Sequence, residues 1–169
     1  MGKISSWSIR RATVDDIEEL VRLRLAMMAE MADHFGDGAV TGQDSELADA
    51  NRAFMREAIP AGEFVSYVVE SGGEMIASSG LRVHRVAPHT GNLEGVSAYI
   101  LNMYTVPAWR GRGLATALLE QLVRHARGAG AKSVSLRASA AGRSVYEGYG
   151  FASDDSFMSL RMAGADSLD

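Results

Sequence analysis

The chain has 169 residues, 47% of them hydrophobic and 22% charged, the balance of a soluble globular domain with enough apolar material for one core. A net charge of -4 supplies no basic field for phosphate backbones, so nucleic acid is not an expected partner. The absence of cysteine excludes disulfides, thiolate catalysis and cysteine-ligated zinc together. No window nears the ~18 apolar residues of a membrane span, and Met1 to Ser8 lacks the apolar run of a secretory leader. A single domain over residues 1–169, cytoplasmic and without a membrane partner, is the expectation.

Ser6 to Ala12 carries Trp7, Ile9 and Arg11 on one parity and reads as a short strand. Thr13 and Asp16 form a capping-box-like start for a helix to about Met31, in which Ile17, Leu20, Val21, Leu23, Leu25 and Met28 recur near helical spacing. Asp33 to Gly42 reads as a loop, and Ser45 to Ile59 as a second helix stopped by Pro60. Glu63 to Glu70 and Met75 to Val86 are β-rich runs around Ser71-Gly72-Gly73, the composition of a hairpin. Val96 to Val106 predicts a strand ended by Pro107. Gly113 to Arg127 predicts a helix with Leu114, Ala117, Leu118, Gln121 and Leu122 on one stripe. Val134 and Leu136 mark a further strand, Ala140 to Tyr149 a short helix, and Phe157 to Met162 a last strand before a frayed tail from about Ala163. The order of elements suits a mixed α/β sheet better than a doubly wound one.

Between the strand ending near Val106 and the helix opening near Gly113 lies Arg110-Gly111-Arg112-Gly113-Leu114-Ala115-Thr116. The first turn of a helix leaves backbone N–H groups without internal partners at the positive end of the macrodipole, which suits a phosphate. Gly111, Gly113 and Ala115 keep bulk away, and Arg110 and Arg112 add positive charge. A tight turn with close helix packing explains the glycines equally well. The P-loop reading fails for want of Gly-Lys-Ser/Thr, and the dinucleotide fingerprint lacks its acidic residue, since Lys132 and Ser133 stand near that offset.

At this point the chain resembles the GNAT acetyltransferases, whose pyrophosphate loop Gln/Arg-x-x-Gly-x-Gly/Ala is matched by Arg110, Gly113 and Ala115. A second family motif, a strand, a short helix holding a Tyr, then Gly-Phe, is matched by Val134 to Arg137 and Tyr146-Glu147-Gly148-Tyr149-Gly150-Phe151. Ile9 to Asp16 is similar to the family's usual first strand and helix. The resemblance implies a mostly antiparallel sheet of six to seven strands flanked by about four helices. It also implies acetyl-CoA as cosubstrate, a primary amine of a small molecule or peptide as acceptor, and no metal; homodimerisation stays open. Met103, Tyr104 and Thr105 would pair with the pantetheine arm and thioester. Arg110, Gly111, Arg112, Gly113, Leu114, Ala115 and Thr116 would form the pyrophosphate loop. Ser139 stands where many members carry a cofactor-contacting Asn, and Tyr146 where the Tyr beside the sulfur stands. Val134 occupies the place at which some members carry a Glu base, and it cannot take a proton.

Acetyl transfer needs a neutral amine, a polarised thioester carbonyl and a proton for the leaving thiolate. Backbone N–H groups where the fourth long strand splays from its neighbour could polarise the carbonyl, and Tyr146 could supply the proton. A core aromatic is the plain alternative for Tyr146. His84 and His89 have no metal-motif spacing, His125 sits near a helix end, and His34 is a weak candidate base. Met27, Met28, Met31 and Phe35 with Glu30, Asp33 and Asp37 would form much of the acceptor side, where carboxylates would favour a cation; a core stripe with a solvated acidic face is the alternative. Two other readings stay open: a non-catalytic acyl-CoA-binding sensor, and an acyltransferase for longer acyl-CoA.

Overall fold

The computed structural model describes residues 6–31 and 45–160. Five strands and four helices are seen among them: β1 (Ser8–Arg11), α1 (Ile17–Glu30), α2 (Ser45–Ala61), β2 (Tyr67–Ser71), β3 (Glu74–Arg85), β4 (Val96–Thr105), α3 (Leu114–Gly128), β5 (Ser133–Leu136) and α4 (Arg143–Tyr149). The strands lie in the order β1-β2-β3-β4-β5, antiparallel except for the parallel pair β4 and β5. That parallel step needs a crossover, and α3 provides it.

Neighbouring strand residues point to opposite faces, and both faces are covered. Val68 joins Leu20, Leu23 and Met55 under α1 and α2. Val69, Ile76 and Ala77 pack with Leu114 and Leu118 of α3, and Ala98 and Ile100 with its Leu119, Leu122 and Ala126. Leu118, Leu119 and Leu122 are fully buried, each contributing about 1.5–3 kcal/mol by removal from water. These side chains anchor α3 firmly, which fixes where its first turn points. Gly80 of β3 is needed for packing: a Cβ there would meet the Phe64 ring at 2.4 Å.

The start of α1 is capped as its sequence predicts. The Thr13 amide donates to Asp16 Oδ2 at 2.8 Å and the Thr13 hydroxyl accepts from the Asp15 amide at 3.3 Å, over a short 3-10 turn preceding the helix. Two expectations need correction. Pro60 does not stop α2 but lies in its last turn, where its missing N–H removes only one helical bond; Gly62, at φ 73, ends the helix, and the Glu63 and Phe64 amides fold back on the Ala58 carbonyl. Phe157 to Met162 forms no strand over its described residues, and Phe157, Met158 and Leu160 are exposed. The sheet therefore has five strands among the described residues instead of six or seven, because alternation without a partner edge does not make a strand. Asp33 to Gly42 and the tail from Ala163 lie outside the described residues. No described helix is long and apolar enough to cross a membrane.

Candidate active site

β4 pairs with β3 along nearly its whole length, but with β5 only from Ser97 to Ile100. Beyond Ile100 opposite Leu136 the two parallel strands part, and the edge of β4 that faces β5 has, from Leu101 to Thr105, no strand beside it among the described residues. The parting coincides with a bulge. The register against β3 slips between Ser78 and Gly80, and Asn102 takes φ 59, a left-handed conformation that Asn tolerates better than most residues.

The opened edge forms one wall of a cleft of about 660 Å³. Across from it stand the start of α3 and the segment from Ser139 to Tyr146. Gly113 precedes α3 at φ 79, open to glycine at little cost, and nothing lies within 4 Å of where its Cβ would be. The first bond closing the helix runs from the Ala117 amide to the Gly113 carbonyl. The amides of Leu114, Ala115 and Thr116 therefore meet no acceptor among the described residues. Three partnerless N–H groups at a helix start, beside a side-chain-free Gly113, form a concave anion cradle.

Eleven of the twelve residues singled out from the sequence line this cleft: Met103, Tyr104, Thr105, Arg110, Gly111, Gly113, Leu114, Ala115, Thr116, Ser139 and Tyr146. Arg112 does not. Its guanidinium lies 4.7 Å over the Trp109 ring and donates to the Ala108 carbonyl at 3.3 Å. Arg110 is also engaged: Nε donates to the Thr105 carbonyl at 2.9 Å and Nη2 to Glu30 Oε2 at 2.6 Å. The Tyr104 hydroxyl donates to Glu30 Oε1 at 2.6 Å. Glu30 thus joins Arg110 and Tyr104 in one network. Burial opposes its charge, yet the bonds from Tyr104 and Arg110 together hold the Glu30 carboxyl below its usual range; burial, then the bond to Glu30, pushes the Tyr104 phenol up to about 12.

Tyr146 lies nearly buried in α4 with its ring edge-on to Phe151 at 6.0 Å. The residue lines the cleft, and its hydroxyl has no hydrogen-bond partner among the described residues. Burial raises its pKa, so it stays protonated at neutral pH. The Ser139 hydroxyl accepts from the Gly142 amide at 3.1 Å, shaping the turn into α4 while keeping its own proton for donation. Val134 packs into the core under α3 and offers no base. Met27 and Met31 line the cleft, whereas Met28 packs against the core; His34, Asp33, Phe35 and Asp37 lie outside the described residues. Among the described residues no group of three or more His, Cys, Asp or Glu is placed to hold a metal ion.

Sequence reading missed Glu30 as the partner of Arg110, since 80 residues separate them and no local pattern joins them. It also passed over Asn102, although an Asn inside an aromatic and β-branched run is a signal for a bulge.

A family model described as the Acetyltransferase (GNAT) family matches residues 28–151. Among solved structures, a predicted acetyltransferase with acetyl-CoA from Clostridium acetobutylicum is 28% identical, with 92% of this chain and 96% of that one covered and a TM-score of 0.82. A GCN5-related N-acetyltransferase from Ralstonia eutropha JMP134 is 29% identical, covering 94% and 100% of the two chains at a TM-score of 0.82. Glucosamine-6-phosphate N-acetyltransferase from Arabidopsis thaliana shares the fold at 21% identity and a TM-score of 0.66, with 94% and 99% covered. Among curated proteins no relative is matched. Fold and family together define an acyl-group transferase. The chain belongs to the GNAT acetyltransferase family.

Proposed function

We propose that this chain transfers the acetyl group of acetyl-CoA to a primary amine of a small molecule or peptide, by direct attack within the cleft. One observation carries the reading: the unpaired edge of β4 from Leu101 to Thr105 runs into the same cleft as the partnerless amides of Leu114 to Thr116. An extended arm ending in a pyrophosphate would satisfy both, taking strand-like bonds from the edge and charge-assisted bonds from the helix start. The Clostridium acetobutylicum neighbour, solved with acetyl-CoA, supports that choice of ligand.

The chemistry then follows from the chain's own groups. Main-chain N–H groups on the freed edge of β4 polarise the thioester carbonyl as charge builds on its oxygen. The amine nitrogen bonds to the carbonyl carbon, the carbon–sulfur bond breaks, and Tyr146 gives its hydroxyl proton to the departing sulfur. The proton shed by the new amide nitrogen passes to water and restores Tyr146. Glu30 lines the cleft, but its carboxylate is held by Tyr104 and Arg110, so the scheme assigns it no proton and takes the amine as neutral.

The test is release of free CoA from acetyl-CoA across a panel of primary amines, with mass spectrometry of the products. Amine-dependent release with a mass gain of one acetyl group is expected. Tight acetyl-CoA binding with no amine-dependent release would overturn transfer in favour of a sensor.

A further inference from the structure

A second pocket of about 190 Å³ adjoins the cleft and shares Met27, Met31, Met103, Ser139 and Tyr146 with it. Its remaining walls are Tyr99 to Asn102 of β4, Arg24 of α1 and Arg137, the residue after β5. The two cavities therefore meet at Met103 and Tyr146, where β4 and β5 part. Among the described residues no Asp, Glu or His lines the smaller one. Its charged lining consists of two arginines from different elements.

Arg24 is half-buried, and its Nε and Nη1 donate to Asn51 Oδ1 and Asn102 Oδ1. Both acceptors are neutral amides. They orient the guanidinium fork and leave its charge without a counterion among the described residues, while burial alone lowers its pKa. A desolvated cation that has no anion is costly to keep. Joining α1, α2 and β4 through Asn51 and Asn102 would require donors but no charge. Arg137 has no such joining role: it is exposed and has no hydrogen bond or ion pair among the described residues. Two arginines lining one small, otherwise largely apolar pocket suit a carboxylate or phosphate, which a guanidinium can meet with two hydrogen bonds.

We propose that this pocket binds an anionic group of the acceptor: the amine acetylated belongs to a small molecule that also carries a carboxylate or a phosphate, held by Arg24 and Arg137 while its amino group lies toward Met103 and Tyr146. The inference rests on the acetyl-transfer reading above. It departs from the expectation of an acidic acceptor side at Glu30, whose carboxylate is already taken by Arg110 and Tyr104; Asp33 and Asp37 lie outside the described residues. The volume also limits the acceptor's size. Sites for drug-sized ligands hold roughly 300–1,000 Å³, so 190 Å³ suits a molecule of amino-acid or monosaccharide size.

The experiment compares kcat/KM for matched acceptors: an α-amino acid against its primary amide, and an amino-sugar phosphate against the unphosphorylated amino sugar. Each pair is run on the parent, Arg137→Gln and Arg24→Gln. The parent should favour the anionic member of at least one pair by roughly 10- to 100-fold, the scale of a charge-assisted hydrogen bond; which pair responds separates carboxylate from phosphate. Each variant should lose at least ten times more rate on the anionic member than on the neutral one, roughly the same scale. Arg137→Gln settles the matter if Arg24→Gln does not fold. Equal rates within both pairs, or equal losses in the variants, would overturn the anionic pocket while leaving acetyl transfer intact. No release from any amine would overturn both.

Discussion

The Tyr146 ring is held by Phe151 and by the core beneath α3, yet its hydroxyl meets no partner among the described residues. Packing alone explains the ring and leaves the hydroxyl unexplained, which is why the two can be separated by substitution. Tyr146→Phe keeps the ring and should leave Tm and the acetyl-CoA Kd close to those of the parent. kcat should fall by about 100-fold, the low end for general acids, because burial raises the phenol pKa and makes it a weaker acid. An unchanged kcat with chemistry rate-limiting would return Tyr146 to a packing role. Tyr104 behaves differently, since its hydroxyl is already given to Glu30. Its folded pKa, about 12, lies above the ordinary value of ~10. The stability linked to that shift is present in full below about pH 10 and is lost as pH rises toward 12. Melting curves from about pH 9 to 12 should show a steep loss for the parent and a shallower one for Tyr104→Phe. Overlapping slopes would assign the alkaline loss to other groups.

The start of α3 concentrates the binding argument in one element. Gly113→Glu and Gly113→Gln have nearly the same shape, and both pay the strain of a side chain at φ 79, about 1–2 kcal/mol. The difference between them isolates charge. Gly113→Glu should bind acetyl-CoA at least ~10-fold more weakly than Gly113→Gln, a gap that narrows with added salt because it is Coulombic; isothermal titration measures both. Equal affinities would place the phosphates away from this turn. This turn was legible in the sequence because its signal is local: glycines directly before an amphipathic stripe that reads as one helix. Arg112, from the same stretch, does not line the cleft, since proximity in sequence does not say that its guanidinium lies over the Trp109 ring. The Pro60 boundary failed where a general rule met a last turn with only one bond to lose.

At the scale of the molecule, the antiparallel strands and the crossover were legible from hairpin glycines and from the alternation of strand and helix. The count of strands was not. Phe157 to Leu160 alternates as a strand would, but sequence carries no information on whether a partner edge stands beside it. The open edge of β4, the Glu30 network and the arginine-lined pocket likewise arise only when distant segments meet. The cleft proposed for acetyl-CoA spans several of these segments at once, bounded by β4, the start of α3 and the approach to α4. A ligand held only by the folded arrangement stabilises it by about 2.7 kcal/mol at 100 times its Kd. For a domain of this size that amounts to roughly 5–10 °C in Tm. Differential scanning fluorimetry with about millimolar acetyl-CoA, at the upper end of common KM values, should show such a rise. Gly113→Glu should cut it to about half or less, since ~10-fold weaker binding removes about 1.4 kcal/mol of that stabilisation. Arg137→Gln should keep it, since Arg137 lies outside the cleft lining. A parent that does not shift would remove acetyl-CoA as the ligand of the cleft, and a shift lost equally in both variants would trace to damaged folding instead of a lost phosphate contact.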